Sequence, residues 1–526
     1  MLIKNFPLMK LLLYLFISSI LLTKTLTTFD LNSLTTTSIT DPIDKVLTIK
    51  GKNQDSLFGS YVGDAGDING DGINDVIVSD SAPSGQRTVS VIYGKQSLEN
   101  IDLSSNDLDP QTTGFTITKT VARFGHSVNG AGDVNNDGYA DIIIGSPSES
   151  SAYVIYGNVV QNLKNIDLDS ETLEPLKTGF TVTGTTGDGL GYSVHGAGDI
   201  NNDGYPDIVC GAYVANSDVG SQVGKAHVIY GKPTSNLINY PLETITLDPG
   251  TTGFTVTGEA ASNHFGAAVS GAGDVNHDGY DDIIIGADLN SASRGAAYVI
   301  YGKRKDKLKD INLASTSLVS TDTGFKIRGG VALGQFGRIV ASAGDINKDG
   351  YADVIIGAPN ENGNTGGVYV IYGNKKENLP DLDLSLSTAL SPQTNGFYIK
   401  GETASDQLGY PVNSAGDINK DGYQDIIFGG AGNTGSPGKM YVIYGKPKEN
   451  LTNFDLATQK LEPTSTGFEI TGLNSGDSFG TSVSTAGDFN GDGRIEILVG
   501  ASGFDSSRGA AYVIFPTRKN SFLIFS

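Results

Sequence analysis

The chain of 526 residues contains few of the residues that form disulfides, bind zinc or act as catalytic groups. It contains one cysteine, Cys210, and no tryptophan. A single cysteine excludes an intrachain disulfide, so a chain of this size must be held together by other means. The five histidines form neither an H-x-x-x-H nor an H-E-x-x-H pair, and no nucleophile or phosphate-binding motif stands out. We therefore expect no enzymatic activity.

Basic residues are outnumbered by acidic ones. Lys and Arg total 36 against 58 Asp and Glu, which gives a formal charge of −22. Nothing in the sequence resembles a basic stripe, which argues against a nucleic-acid partner.

Long apolar runs are also scarce. The run Leu11–Leu22 follows Lys4 and Lys10, and it has the length of a signal-peptide core while being short for a membrane span. We expect a signal peptide over residues 1–27, with an uncleaved anchor as the alternative. The mature protein is then secreted and extracellular, without stable insertion into a membrane.

One acidic motif, D-x-N-x-D-G-x-x-D/E, is abundant. Its seven copies are separated by 66, 66, 75, 71, 72 and 71 residues, which indicates an internal repeat. Each unit has a short strand opened by FG or LG, the acidic loop, an apolar strand, a variable loop, a third strand such as AYVIYG (152–157), a linker and a fourth strand such as FTVTG (180–184). No long helical period is present. The pattern predicts an all-β fold, a seven-bladed β-propeller of four-stranded antiparallel blades.

The ends of the chain predict how the ring closes. The propeller is assigned to residues 28–516 and a C-terminal tail to 517–526. The seventh unit stops after its third strand, while residues 29–51 match the linker and fourth strand at 454–472. Residues 44–50 should therefore complete blade 7 as its outer strand and remove an open edge. The predicted blades span 57–119, 123–184, 189–258, 264–329, 335–401, 407–472 and 478–516.

Each acidic loop carries oxygen-bearing side chains at positions 1, 3, 5 and 9, and glycine at position 6 permits a sharp bend. Calcium takes about 6–8 oxygen ligands, which can come from such side chains and from the carbonyl of position 7. The loops therefore predict up to seven structural Ca²⁺ ions, with Mg²⁺ less favoured. The alternative is an Asx-rich turn without metal. The pattern matches only the first half of an EF-hand, because strands flank it and position 12 is Val78 in the first copy and Cys210 in the third.

The predicted calcium ligands share these five loop positions. In chain order they are Asp67, Asn69, Asp71, Ile73 and Asp75; Asp133, Asn135, Asp137, Tyr139 and Asp141; Asp199, Asn201, Asp203, Tyr205 and Asp207; Asp274, Asn276, Asp278, Tyr280 and Asp282; Asp345, Asn347, Asp349, Tyr351 and Asp353; Asp417, Asn419, Asp421, Tyr423 and Asp425; and Asp488, Asn490, Asp492, Arg494 and Glu496.

Three motifs together suggest a family. They are the FG pairs, the GAP-like turns and the DxNxDGxxD loops, the first two at Phe58-Gly59, Phe124-Gly125, Phe265-Gly266, Phe336-Gly337, Phe479-Gly480, Gly286-Ala287 and Gly357-Ala358-Pro359. On these residues the units resemble FG-GAP repeats, the blades of the integrin α headpiece, over residues 29–516. The chain departs from the pattern at Leu190-Gly191, at Leu408-Gly409 and at Val78-Ser79-Asp80.

The resemblance implies a seven-bladed propeller with calcium loops on the lower face and ligand contacts on the upper face. It implies an adhesion or matrix-type role, with an extracellular protein or glycan as ligand and an integrin-β-like chain as a candidate partner. The sequence carries no leg domains, so a complete integrin is not expected. The alternative is a lectin-like or accessory targeting module, since such propellers also accompany a phospholipase D specific for glycosylphosphatidylinositol.

The variable loops between second and third strands should lie opposite the acidic loops, because strands alternate in direction. They supply the candidate ligand-binding residues Tyr213, Asp218, Asn360 and Asn433, unless they are merely tolerated insertions. The FG aromatics either ring the channel mouth to receive a partner side chain or pack between blades, and we expect packing. The sequon at Asn450 is a candidate glycosylation site.

Overall fold

The computed structural model of the protein describes residues 28–30, 43–97, 99–217, 220–386, 389–430 and 436–516. The predicted signal peptide, the predicted tail, Asp218 and Asn433 lie outside the described residues.

The described residues form 35 strands. The first two are β1 (Thr28–Asp30) and β2 (Ile43–Lys50). Unit 1 contains β3 (Tyr61–Gly66), β4 (Asp75–Ser79), β5 (Arg87–Ile92), β6 (Ile101–Asp102) and β7 (Gly114–Lys119). Unit 2 contains β8 (Ser127–Gly132), β9 (Asp141–Ser146), β10 (Ser151–Ile155), β11 (Ile166–Asp167) and β12 (Gly179–Thr183). Unit 3 contains β13 (Leu190–Gly198), β14 (Asp207–Ala212), β15 (Lys225–Ile229), β16 (Tyr240–Pro241) and β17 (Gly253–Thr257).

The remaining units repeat this order. Unit 4 contains β18 (Phe265–Gly273), β19 (Asp282–Ala287), β20 (Ala296–Ile300), β21 (Ile311–Asn312) and β22 (Gly324–Arg328). Unit 5 contains β23 (Ile339–Gly344), β24 (Asp353–Gly357), β25 (Gly367–Ile371), β26 (Leu382–Asp383) and β27 (Gly396–Lys400). Unit 6 contains β28 (Val412–Gly416), β29 (Asp425–Gly430), β30 (Lys439–Ile443), β31 (Phe454–Asp455) and β32 (Gly467–Thr471). Unit 7 contains β33 (Phe479–Gly487), β34 (Glu496–Ala501) and β35 (Ala510–Pro516).

These strands form seven sheets, which are the seven blades of the predicted propeller. In each blade four antiparallel strands follow one another outward, and the first strands of neighbouring blades contact each other around the whole ring. The acidic loops join first to second strands on the lower face. The variable loops join second to third strands on the opposite, upper face.

Each blade has a fifth strand that the sequence analysis did not predict. It is a short segment from the linker of the next unit, and it pairs in parallel with the outer edge of the blade before it. In blade 1, for example, Ile166 of β11 pairs with Ile117 of β7. Two or three paired residues are too few for a hydrophobic alternation, so no strand pattern marks them.

The N-terminal residues close the ring as predicted. Strand β2 runs antiparallel to β35, from Ile43 opposite Pro516 to Lys50 opposite Ala510, and so supplies the fourth strand of blade 7. Strand β1 pairs in parallel with β32 and supplies the fifth strand of blade 6. The chain before the first unit therefore joins two blades at once.

The hydrophobic cores lie between the blades, because both faces of each sheet are apolar. Seven buried clusters occur, and each draws residues from two adjacent blades. The FG phenylalanines are at most 3% exposed and belong to these clusters, so they pack between blades and do not ring the channel mouth. The helical segments of the described residues are single turns, and none is long and apolar enough to cross a membrane.

The contribution of the N-terminal strand can be measured at Leu47, which is fully buried between blades 7 and 1. We expect Leu47→Ala to lower the free energy of unfolding by about 2–5 kcal/mol, because it leaves a cavity in an inter-blade core. Chemical denaturation of the mature chain measures this. The neighbouring Thr48→Ala, on the less buried face of the same strand, should change stability far less; equal effects of the two substitutions would contradict the ring closure.

Candidate metal centres

The seven acidic loops share one internal hydrogen-bond pattern. In every loop the position-1 carboxylate accepts the N–H groups of positions 5 and 6; in the first loop Asp67 accepts those of Asp71 (3.0 Å) and Gly72 (2.8 Å). The position-5 carboxylate accepts the N–H of position 7. Positions 4 and 6 both have positive φ in all seven copies. The left-handed position 4, which tolerates Asn, His and Lys, was not predicted.

The position-9 carboxylate is buried behind the loop. Asp75 is fully buried, and it accepts N–H bonds from Ile68 (3.1 Å), Gly94 (2.9 Å) and the Asn69 side chain (3.1 Å). The bonds to position 2 and to the glycine after the third strand recur in blades 1 to 6. This side chain therefore ties the loop to the end of the third strand of its own blade.

Blade 7 departs from this arrangement in two linked ways. Position 9 is Glu496, and Pro516 occupies the place that glycine has in the other blades, so no N–H is available there. Glu496 still accepts the N–H of Phe489 (2.8 Å) and the Asn490 amide (3.3 Å). The longer side chain thus keeps the loop bonds although one donor is missing.

The position-3 asparagines have side-chain oxygens for which the protein provides no hydrogen-bond donor in four of the loops. The side-chain oxygens of Asn135, Asn201, Asn276 and Asn347 are buried and accept no hydrogen bond. A buried amide oxygen without a partner is costly, and Ca²⁺ prefers oxygen ligands of this kind. In the other three loops this oxygen accepts the N–H of position 5.

Burial also acts on the position-9 carboxyl groups. It raises the pKa well above its usual range in five of them and raises the pKa of Asp425 and of Glu496 to about 8; the five are Asp75, Asp141, Asp207, Asp282 and Asp353. A nearby cation would favour the ionised form.

The carboxylates alone do not make a metal site. Among the described residues, no three acidic, histidine or cysteine side chains come together closely enough to hold a metal ion by themselves. The carboxylates at positions 1 and 9 instead accept N–H groups of the protein. A calcium ion bound here would therefore also need the amide oxygen of position 3 and the carbonyl of position 7, as in the predicted ligand set.

The acidic loops also connect neighbouring blades. The carbonyl of position 2 accepts an N–H from the residue that follows the corresponding glycine in the next blade, as in Asn158 to Ile68 (3.0 Å) and Lys95 to Phe489 (3.0 Å). Six such bonds lie in the described residues. The bond from Lys95 to Phe489 crosses the junction of blades 7 and 1. The repeat pattern predicts each loop as a feature of its own blade and gives no sign of this role.

In three of the loops, a lysine of the next blade also contacts the position-5 carboxylate and partly neutralises its charge. Lys376 contacts Asp278 (2.6 Å), Lys448 contacts Asp349 (2.5 Å) and Lys305 contacts Asp203. These acids occupy position 5 of loops 4, 5 and 3. An ammonium group therefore faces the ligand position in these loops, and a calcium ion there would share the carboxylate with it.

The candidate upper-face residues differ in their surroundings. Tyr213 packs on Tyr192 (ring centroids 4.2 Å apart) and on His264 (5.4 Å), and it is half-buried. Asn360 donates to Gln335 (2.7 Å) in its own blade and accepts from Gln407 (3.3 Å), so it links the loops of blades 5 and 6. Asn450 is exposed at the end of a single 3-10 turn.

The upper channel mouth is lined by residues that follow the FG or LG pairs. Arg338 donates to Asp288 (3.1 Å) and to the Tyr192 hydroxyl (3.1 Å), and it lies over Tyr410. His126 contacts the Tyr61 hydroxyl (2.7 Å), and burial lowers the pKa of His126 to about 4. The mouth is thus a network of mutually bonded polar aromatics around a cavity of about 170 Å³.

The single cysteine and one serine motif lie in surroundings unlike those of catalytic residues. Cys210 is fully buried, and desolvation raises the pKa of its thiol to about 12, which suits a small apolar residue. The segment Gly476–Gly480 spells G-x-S-x-G, but it leads into strand β33 and does not follow a strand into a helix, as a nucleophile elbow requires.

Comparison with known proteins finds one repeat family and several integrin α relatives. The FG-GAP repeat family matches residues 124–159, 190–229, 265–300, 336–371 and 479–514, which belong to blades 2, 3, 4, 5 and 7. Over 246 residues the chain is 29% identical to integrin alpha-V of Gallus gallus. Over 241 residues it is 32% identical to integrin alpha pat-2 of Caenorhabditis elegans. Over 319 residues it is 25% identical to integrin alpha-8 of Gallus gallus.

Each alignment covers only part of this chain and part of the relative. They include 46%, 44% and 58% of this chain and 20%, 17% and 26% of the three relatives. The chain therefore spans about a quarter or less of the length of the relatives it matches.

The position-9 carboxylate can be tested as a structural element in the absence of calcium. Asp141 accepts the N–H groups of Val134 (2.9 Å) and Gly157 (2.9 Å). We expect Asp141→Ala to lower the free energy of unfolding by about 2–5 kcal/mol in chelator, because two buried donors lose their acceptor.

The matched control is Asp137→Ala in the same loop. Asp137 is exposed and accepts only the N–H of Tyr139 in the described structure (3.1 Å), so its loss should cost less than about 1 kcal/mol. Similar losses for both variants in denaturant titrations would show that position 9 has no special structural role.

Proposed function

Because this chain is built from FG-GAP repeats and resembles the propeller of integrin α subunits, we propose that it is a secreted, calcium-stabilised propeller that binds an extracellular protein in an adhesion or matrix role. The family-level part rests on the repeats, the seven blades and the integrin relatives. Calcium binding, secretion and the ligand are the proposal. An integrin-β-like chain is one candidate partner.

The observation that supports calcium is the set of buried, unpartnered oxygens at position 3. Four loops present such an oxygen beside the carboxylates of positions 1, 5 and 9. A calcium ion would satisfy it and would favour the ionised form of the acids. With no disulfide available, bound ions would add stability to the blade junctions.

The upper face is the proposed surface for the protein ligand. Its loops vary between blades, whereas the lower face is occupied by near-identical acidic loops. Tyr213 lies there within a row of aromatic rings, and aromatic side chains are enriched at the centres of protein interfaces.

Calcium binding can be separated from folding at Asn135. Neither atom of its buried amide has a hydrogen-bond partner, so Asn135→Leu removes no internal bond. We expect the wild type to bind about seven ions and to melt at a lower temperature in chelator. The variant should bind one ion fewer and lose about 0.4–1.4 kcal/mol of stability at millimolar calcium, but none in chelator.

Calorimetric titration and melting curves provide these values. The control is Asn136→Gly, which keeps the left-handed φ of an exposed neighbour that is not a predicted ligand and removes one exposed bond, to the Gly204 carbonyl (3.3 Å). A wild type that binds no calcium, or an Asn135→Leu variant with an unchanged ion count, would refute the assignment.

Ligand binding can be tested by immobilising the calcium-loaded chain and measuring its binding to a panel of extracellular matrix proteins. We expect Tyr213→Ala to weaken binding by about tenfold, as for an aromatic residue central to an interface. Tyr205→Ala serves as the control, because its side chain is on the lower face and only its carbonyl is a predicted ligand. Equal binding by both variants, or binding unaffected by chelator, would argue against the proposed surface or its dependence on calcium.

A further inference from the structure

A cavity of about 740 Å³ lies between blade 7 and blade 1 towards the upper face. Its apolar wall contains Phe58, Leu103 and Leu108. The loop 51–56, which leads into blade 1, and the variable loop of blade 1 form its rim. Binding pockets for small ligands commonly have volumes of about 300–1,000 Å³.

The cavity has a cause that is visible in the register of the third strands. Ser90 pairs with Val78 in blade 1, and in the other blades the equivalent residue is a tyrosine or, in blade 3, His227. The equivalent tyrosines are Tyr153, Tyr298, Tyr369, Tyr441 and Tyr512. Blade 1 is thus the one blade whose third strand has a small side chain at this position.

In four blades the tyrosine packs against the FG phenylalanine of the same blade. The ring centroids of Phe479 and Tyr512, for example, are 5.7 Å apart, and those of Phe336 and Tyr369 are 5.1 Å apart. In blade 1 both Phe58 and Ser90 line the cavity instead. A side chain that fills this space elsewhere in the ring is therefore missing here.

The walls of the cavity carry many neutral hydrogen-bonding groups. Hydroxyl groups come from Thr88, Ser90, Thr116 and Thr118, and amide groups come from the side chains Asn53, Gln54, Gln86 and Asn165. Asp80 adds a carboxylate that is 7% exposed and accepts the N–H of Thr88 (3.1 Å). A carboxylate oxygen accepts more than one hydrogen bond, so Asp80 keeps capacity for a hydroxyl donor.

The charges around the cavity favour a neutral occupant. The lining includes Asp55, Asp80 and Asp107, and its lysine, Lys52, is paired with Asp107 (2.5 Å). An anionic ligand would meet carboxylates that lack a free countercharge in the lining.

We propose that this cavity is a binding site for a neutral saccharide of one or two sugar residues. Its hydroxyl and amide groups match the hydroxyls of a sugar, Asp80 provides a strong acceptor, and Phe58 with the two leucines provides an apolar surface. The site is independent of the acidic loops and of the residues proposed for protein binding.

The test fills the cavity with tyrosine, the residue that five of the other blades have at this position. Wild type, Ser90→Tyr and His227→Tyr are titrated with a panel of neutral mono- and disaccharides by calorimetry and by saturation-transfer NMR. We expect at least one saccharide to bind the wild type, and Ser90→Tyr to weaken that binding by about tenfold or more, since the ring occupies the space. The melting temperature of Ser90→Tyr should be equal or higher.

His227→Tyr is the matched control, because it places a tyrosine at the same position of blade 3, where His227 contacts Thr255 (3.0 Å), and should leave binding unchanged. If Ser90→Tyr does not fold, Ser90→His introduces the smaller residue of blade 3 and should also weaken binding. The proposal is overturned if no neutral saccharide binds at millimolar concentration, if binding survives in the folded variant, or if tyrosine amide or a sialylated sugar binds in preference. Because these results do not involve calcium or matrix proteins, they are distinct from a failure of the adhesion role.

Discussion

Hydrogen bonds that leave the acidic loops join one blade to the next at six junctions among the described residues. The position-2 carbonyl accepts an N–H of the next blade, while the position-9 carboxylate anchors the same loop to its own third strand. The apolar cores between blades supply most of the burial, but they have no directional element. The buried oxygens at position 3 belong to the same loops, so an ion bound there would also stabilise these junctions.

Much of this architecture could be predicted from the sequence because its signals repeat. Seven acidic loops, apolar second strands and the match between residues 29–51 and 454–472 led to the propeller and to its closure by β2. The parallel fifth strands were missed because each contains about two residue pairs, as in Ile166 and Ile117, and their partners are distant in sequence. The bonds between blades, such as that from the Asn158 N–H to the Ile68 carbonyl, were missed because a backbone carbonyl leaves no trace in residue type. The ligand set itself stays a prediction.

Repetition also makes departures informative, since the other blades serve as internal references. Glu496 and Pro516 deviate together: a longer acid stands where the glycine N–H is replaced by proline. Ser90 stands where the other blades have an aromatic residue, and it lines a cavity of about 740 Å³ together with Asp80, which lies in the departure from the GAP-like turn. The first departure preserves the junction, whereas the second opens space beside it. Both departures are visible in the aligned units. Only the structure shows that Phe58 lacks the tyrosine contact found in other blades and that a cavity lies there instead.

Hydrogen exchange of backbone amides, measured by mass spectrometry with calcium and with chelator, tests the central claim most directly. The account predicts that chelator raises exchange first in the acidic loops and at the amides that cross blade junctions, such as Asn158, Lys232 and Lys95, while strands β9 and β10 stay protected. The Lys95 amide should respond like the others although it joins the two ends of the ring. Exchange that is unchanged in the loops, or that rises equally throughout the strands, would contradict the view that these loops are the calcium-dependent joints of the propeller.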